Sequence, residues 1–105
     1  MKGLGNMGNL MKQAKQLQEQ LAQAQAEIAE MRVEASAGGG MVTATVNGKG
    51  ELIDLAIERE VVDPEDIEML ADLVIAAVQE SQRQASQKAE EHLGPLAQGF
   101  GMPTG

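Results

Sequence analysis

Eight apolar positions, Met7, Leu10, Ala14, Leu17, Leu21, Ala24, Ile28 and Met31, recur in unbroken steps of three and four. That period, near 3.5 residues, is the seam of a helix able to pair with another in a left-handed supercoil. It predicts a helix from about Asn9 to Met31, a rod of roughly 35 Å at the helical rise. The interior is rich in good helix formers, and Ala14 and Ala24 allow close helix approach. Gln13, Gln18, Gln20 and Gln25 leave the seam's flanks mostly neutral, with Glu27 the charged exception. Residues 1–9 are Gly/Asn-rich and read as frayed, with Asn6 or Asn9 as the helix cap. A short chain has little of its own to cover so long a stripe, so a partner is expected, first of all a second copy.

The period then drops to two. Arg32–Ala37 is a weak strand candidate, and Gly38-Gly39-Gly40 reads as a flexible turn. Met41–Val46 is β-branched and alternating. Asn47-Gly48-Lys49-Gly50 signals a hairpin, because Asn and Gly tolerate positive φ. Leu52–Ile57 forms a third strand with Ile53, Leu55 and Ile57 on one face. The product is a three-stranded antiparallel meander, whose apolar face, including Val42 and Val46, needs a cover.

That cover is a second helix. Asp63 suits the N-cap, Pro64 the first helical position, and Glu65 and Asp66 complement the helix dipole. Ile67, Leu70, Leu73, Val74, Ala77 and Val78 follow at helical spacing and should lie on the sheet. Ser81 to His92 is far more polar, so this half should project beyond the sheet or lie along another helix. Gly94-Pro95 is expected to stop it. The organisation is thus α+β, with one domain over residues 1–93 and a flexible Gly/Pro-rich tail over 94–105.

Composition narrows the function. The chain has 105 residues, one Phe, no Trp, no Tyr and no Cys. It is marginal for a self-sufficient core. Without Cys there is no disulfide, thiolate nucleophile or Cys-bound metal, which suits a reducing cytoplasm. No apolar run approaches the roughly 18–20 residues that span a bilayer. Residues 1–20 lack the apolar core of a secretory leader, so neither membrane nor export is expected. The net charge is −8, but residues 1–50 carry five bases against four acids, and residues 51–105 three bases against twelve acids. Residues 1–18 hold three lysines and no acid, so the acidic chain has one basic end.

Helix, meander, long helix and Gly-rich tail carry particular words in order. These are Gly8-Asn9-Leu10-Met11-Lys12-Gln13-Ala14, Val46-Asn47-Gly48, Asp72-Leu73-Val74-Ile75-Ala76-Ala77 and a closing Gly101-Met102-Pro103. Together they resemble the YbaB/EbfC family of bacterial nucleoid-associated proteins over nearly the whole chain. The resemblance implies a tweezer-like homodimer with a shared β-core and helical arms. It also implies double-stranded DNA as partner and the cytoplasmic nucleoid as location. Val78-Gln79-Glu80-Ser81 departs from the family's usual residues after the paired alanines, and the acidic second half bears on DNA affinity.

Little supports catalysis. His92 is the only His and reads as a solvated side chain near a helix end, with no second His or Cys to build a metal site. Asp63, Glu65, Asp66 and Glu68 lack the Gly and regular alternation of a calcium loop and read as a helix start. Gly38–Gly40 is followed by no Lys-Ser/Thr and is not a phosphate loop. No cofactor, metal or small-molecule substrate is expected, and no enzymatic activity.

For DNA the candidates are Lys2, Lys12 and Lys15 by the first arm, and Arg83 and Lys88 on the outer half of the second helix. On residues alone, all five also fit solubilising surface charges. Lys12 and Lys15 share a helix face away from the seam. Phe100 alone, in a flexible tail, cannot stack bases, so single strands are poor ligands. Duplex binding should therefore run mainly through phosphates. About four to six contacts per dimer would give a log K–log salt slope of roughly −4 to −5. Leu17, Leu21, Ile28, Val42, Val46, Ile53, Leu55, Ile57, Leu70 and Val74 are assigned to packing and the dimer core. The competing reading is a protein-interaction module whose helical arms clasp a partner by the apolar seam.

Overall fold

A computed structural model describes residues 2–99, with the side chains of residues 2–6 and 97–99 left aside. The order is α1 (Lys2–Glu30), β1 (Val33–Ala37), β2 (Val42–Val46), β3 (Leu52–Ile57), a short 3-10 turn at Arg59–Val61, and α2 (Ile67–Gly99). The strands form one antiparallel sheet in the order β1-β2-β3, the expected meander.

Several boundaries differ from the sequence reading. α1 begins at Lys2, so neither Asn6 nor Asn9 caps it. Gly8 costs about 1 kcal/mol against Ala, and propagation from a long helix carries across it. α2 begins later than expected, because Pro64 and Glu65 lie in a turn. Asp63 holds that turn by accepting the Glu65 N–H on Oδ1 (2.9 Å) and the Asp66 N–H on its carbonyl (2.9 Å). Asp66 is the true cap, its Oδ1 accepting the Met69 N–H at 3.2 Å. At its other end α2 runs through Gly94 and Pro95 to Gly99 instead of stopping. Residues 100–105 of the predicted tail lie outside the described residues.

The core forms where α2 lies across β1 and β2. Val42, Ala44, Val61 and Ala77 are buried, with Leu55, Leu70, Leu73, Val74 and Val78 packed around them. A second buried group joins Val33, Val46 and Ala85. Ala77, Ser81 and Ala85 are fully buried at successive helical turns and let α2 sit close to the sheet. Ser81 satisfies its hydroxyl by donating to the Val78 carbonyl at 2.8 Å. Ile67, expected on the sheet, is exposed.

β3 is the open side. Val46 pairs with Leu52 while Thr45 pairs with Asp54, so a bulge leaves Ile53 without a cross-strand partner. Leu55 packs on the core, but Leu52, Ile53 and Ile57 are exposed because α2 lies chiefly across β1 and β2.

The β1–β2 turn needs its glycines, with Gly38, Gly39 and Gly40 at φ of 65°, 67° and 93°. The β2–β3 turn works differently from the expected Asn-Gly hairpin. Only Gly50 has positive φ (83°). Asn47 is buried and organises the turn. Its Oδ1 accepts the Lys49 and Glu51 N–H groups at 3.0 Å each, and its Nδ2 donates to Glu51 Oε1 at 2.7 Å.

Candidate nucleic-acid interface

The direction of the α1 arm is set at a joint with the sheet. The Gly48 N–H donates to the Ile28 carbonyl at 2.9 Å in the last turn of α1, where the same oxygen also accepts the Met31 N–H at 3.1 Å. A Cβ at position 48 would stand 2.4 Å from that oxygen and 2.6 Å from Ile28 Cγ2. Gly48 is glycine for space, not for φ. Arg32 supports the same helix end, its Nη1 donating to the Met31 carbonyl at 2.9 Å. Across the joint, Gln82 Nε2 of α2 donates to the Gly50 carbonyl at 3.0 Å.

From this joint α2 continues alongside α1 in the opposite direction. His92 Nε2 lies 3.3 Å from Glu27 Oε1 and links the two helices. Along the seam, burial falls off toward the N-terminus. Ala24 and Ile28 are buried, Leu17 and Leu21 half-buried, and Met7, Leu10 and Met11 exposed. The first turns of α1 therefore project past their cover.

The predicted DNA residues fall into two groups. Lys12 and Lys15 are exposed on the projecting half of α1. Neither makes an ion pair among the described residues. The first acid along α1 is Glu19. The Lys2 side chain lies outside the described residues.

Arg83 and Lys88 sit on α2, both exposed. Arg83 is engaged: Nη2 and Nε donate to Glu80 Oε1 (2.6 Å) and Oε2 (3.0 Å). Gln84 Nε2 also donates to Glu80 Oε1, at 3.1 Å. The hydrogen bonds from Arg83, and then from Gln84, hold the Glu80 carboxyl at about 2, far below the usual carboxylate range. The same contact raises the pKa of Arg83.

Placing His92 beside Glu27 separates Lys15 from Lys88 by roughly 24 Å along the arm at the helical rise. Glu27, Glu90 and Glu91 lie in that interval. The two groups are not one continuous patch. Sequence reasoning missed Arg32, Asn47 and Gly48 as the residues that aim the arm. The Val46-Asn47-Gly48 word was the signal, but its cause lies in a contact 20 residues earlier in the chain.

A cleft of about 350 Å³ lies between the β2–β3 turn and α2, lined by Gly48, Lys49, Gly50, Gln82, Ser86 and Ala89 among others. Its titratable lining residues are Lys49 and Glu90. Among the described residues no three His, Asp or Glu side chains could together hold a metal ion. No described helix is long and apolar enough to cross a membrane.

Known proteins match this arrangement. The sequence pattern of the YbaB/EbfC DNA-binding family fits residues 2–100. A nucleoid-associated protein of Clostridium perfringens (strain SM101 / Type A) is 55% identical over 101 residues, covering 96% of this chain and 90% of that one. A nucleoid-associated protein of Rhodococcus opacus (strain B4) is 52% identical over 99 residues, covering 94% and 88%. The crystal structure of an uncharacterized protein from Helicobacter pylori shares the fold. Its TM-score is 0.69 at 23% identity, over 78% of this chain and 86% of that one. The descriptions of the family and of these two relatives are those of DNA-binding, nucleoid-associated proteins and not of enzymes.

Proposed function

Because this chain belongs to the YbaB/EbfC DNA-binding family, we propose that it binds double-stranded DNA in the cytoplasmic nucleoid as a homodimer. It grips the duplex mainly by its phosphates and influences chromosome organisation and gene expression. One observation carries the reading: Lys12 and Lys15 stand exposed on an acid-free, projecting half of α1, away from the acidic bulk. Phosphate contacts of this kind position a protein without reading bases, and a chain whose one aromatic residue is Phe100 favours duplex over single strand.

The homodimer rests on exposed apolar surface. The accessible area is 7674 Å², against about 5,700 Å² for a compact monomer of this mass. Leu52, Ile53 and Ile57 of β3 supply apolar surface that a second copy would cover. Two arms then act on one duplex, and each weak patch gains from the other's effective concentration.

Fluorescence anisotropy of a labelled duplex at about 50 and about 200 mM salt tests the reading. Saturable binding that weakens with salt and drops in Lys12→Glu/Lys15→Glu is expected. Absence of binding at the lower salt sinks it. The protein-clasp reading, favoured by exposed Met7, Leu10 and Met11, would then take its place.

A further inference from the structure

The first two turns of the α1 seam have no use in the DNA contacts. Met7, Leu10 and Met11 are 59%, 62% and 72% exposed, and Ala14 beside them is exposed as well. They continue, in the same period, the stripe whose Ala24 and Ile28 are buried near the joint. The seam is thus a helix-packing face that lacks its second helix over one stretch. Lys12 lies two residues from both Leu10 and Ala14, which puts it on the opposite side of the helix. A duplex held by Lys12 leaves the seam open.

We propose that the occupant of this stretch is the same stretch of a second copy. The projecting ends of α1 from two dimers pair antiparallel through Met7, Leu10, Met11 and Ala14, and so join DNA-bound dimers. An antiparallel pair with Leu10 against Met11 of the other copy sets Met7 against Ala14. It also brings Lys12 to the level of Asn9, so no lysine of one helix meets a lysine of the other. The seam itself carries no charge; its flanks are the neutral Gln13 on one side and Lys15, four residues from Met11, on the other, and this register sets Lys15 at the level of Asn6, clear of any lysine of the other copy. Two such helices do not repel each other along their contact. The remaining repulsion, between the basic ends as wholes, falls when phosphates neutralise Lys12 and Lys15.

About two helical turns bury too little for a stable pair of isolated chains. The contact forms where DNA raises local concentration, and each dimer offers two ends. Methionine suits it, since an unbranched side chain adapts to a partner's surface. The consequence is bridging: one dimer on each of two duplexes, or on two segments of one. The inference rests on the homodimer proposed above, but not on the strength of DNA binding.

The chain has no cysteine, so one introduced thiol reports one position. In Leu10→Cys, a short bis-maleimide should join copies into particles of four or more chains by native mass, more so with long duplex present. Gln16→Cys, on the opposite side of α1, should give none. Separately, Met7→Gln/Leu10→Gln/Met11→Gln keeps charge and helix propensity. It should bind a short duplex within about twofold of wild type, since phosphate contacts dominate the affinity. It should also lose most capture of a second, labelled duplex by an immobilised one. Leu10→Cys particles that stay at two chains, or capture undiminished in the triple variant, overturn the proposal. Cross-linked particles of four chains without any DNA binding would leave the tip contact standing and remove the DNA reading.

Discussion

Among the charged side chains, Glu80 and Arg83 show how one pair can reset a candidate contact. Its charge and its place on the outer half of α2 made Arg83 a candidate DNA contact, but its guanidinium is bound through two nitrogens to Glu80. A carboxyl held near 2 stays ionised throughout the physiological range, so the pair is not loosened by modest acidification. A phosphate must compete with Glu80 for the guanidinium. Glu80→Gln should therefore release Arg83 and tighten duplex binding. The salt slope should grow by about 0.9 for each phosphate gained. Unchanged affinity and slope in the anisotropy titration would mean that DNA does not reach this part of α2. Lys12 faces no such competitor among the described residues, and its charge is available as it stands.

The arms are elements held at one joint, and the joint is open to a direct test. Gly48→Ala pushes a methyl to within 2.4 Å of a backbone oxygen, which cannot yield as a side chain would. The expected cost is about 1–3 kcal/mol in urea unfolding, as for overpacking. Gly8→Ala on the same arm meets nothing within 4 Å and should instead gain up to about 1 kcal/mol. Equal effects from both substitutions would show that Gly48 is not the joint. The helices, strands and their order were legible in the sequence because each follows one period over many residues. The cap of α2 was less so, since Asp63 and Asp66 are chemically alike and only the turn at Pro64 and Glu65 separates their roles. The polar look of Ser81 concealed a buried stripe, because a hydroxyl that bonds the Val78 carbonyl can be buried without penalty. Gly94-Pro95 read as a stop, yet a proline near a helix end removes a single bond, to the Glu91 carbonyl, and both Glu91 and Pro95 are exposed. Of the candidate site, the lysines could be named from charge alone. The distance between the α1 and α2 groups could not, because the antiparallel packing of the arms sets it.

At the scale of the whole molecule, the chain is 79 × 23 × 16 Å with a radius of gyration of 20.8 Å, against about 13 Å for a compact domain of this length. Such a shape cannot enclose its own apolar surface, and β3 is where most strand surface stays open. Ile57 is central to that argument. It pairs with Val42 across the sheet, on the core side, but at the strand that α2 covers least. Its exposure of 39% leaves room for a longer polar side chain without disturbing the single-chain fold. Ile57→Lys should keep the circular dichroism of wild type, since the lysine's aliphatic stem retains the covered part of the contact while its ammonium reaches water. If two copies meet at β3, the substitution places a pair of like charges in that contact and light scattering should report a single chain. One arm pair then replaces two, and duplex affinity should fall on the order of a hundredfold through lost effective concentration. A folded variant that remains a two-chain particle would move the interface away from β3. A single-chain variant that binds DNA as wild type does would show that each arm acts alone.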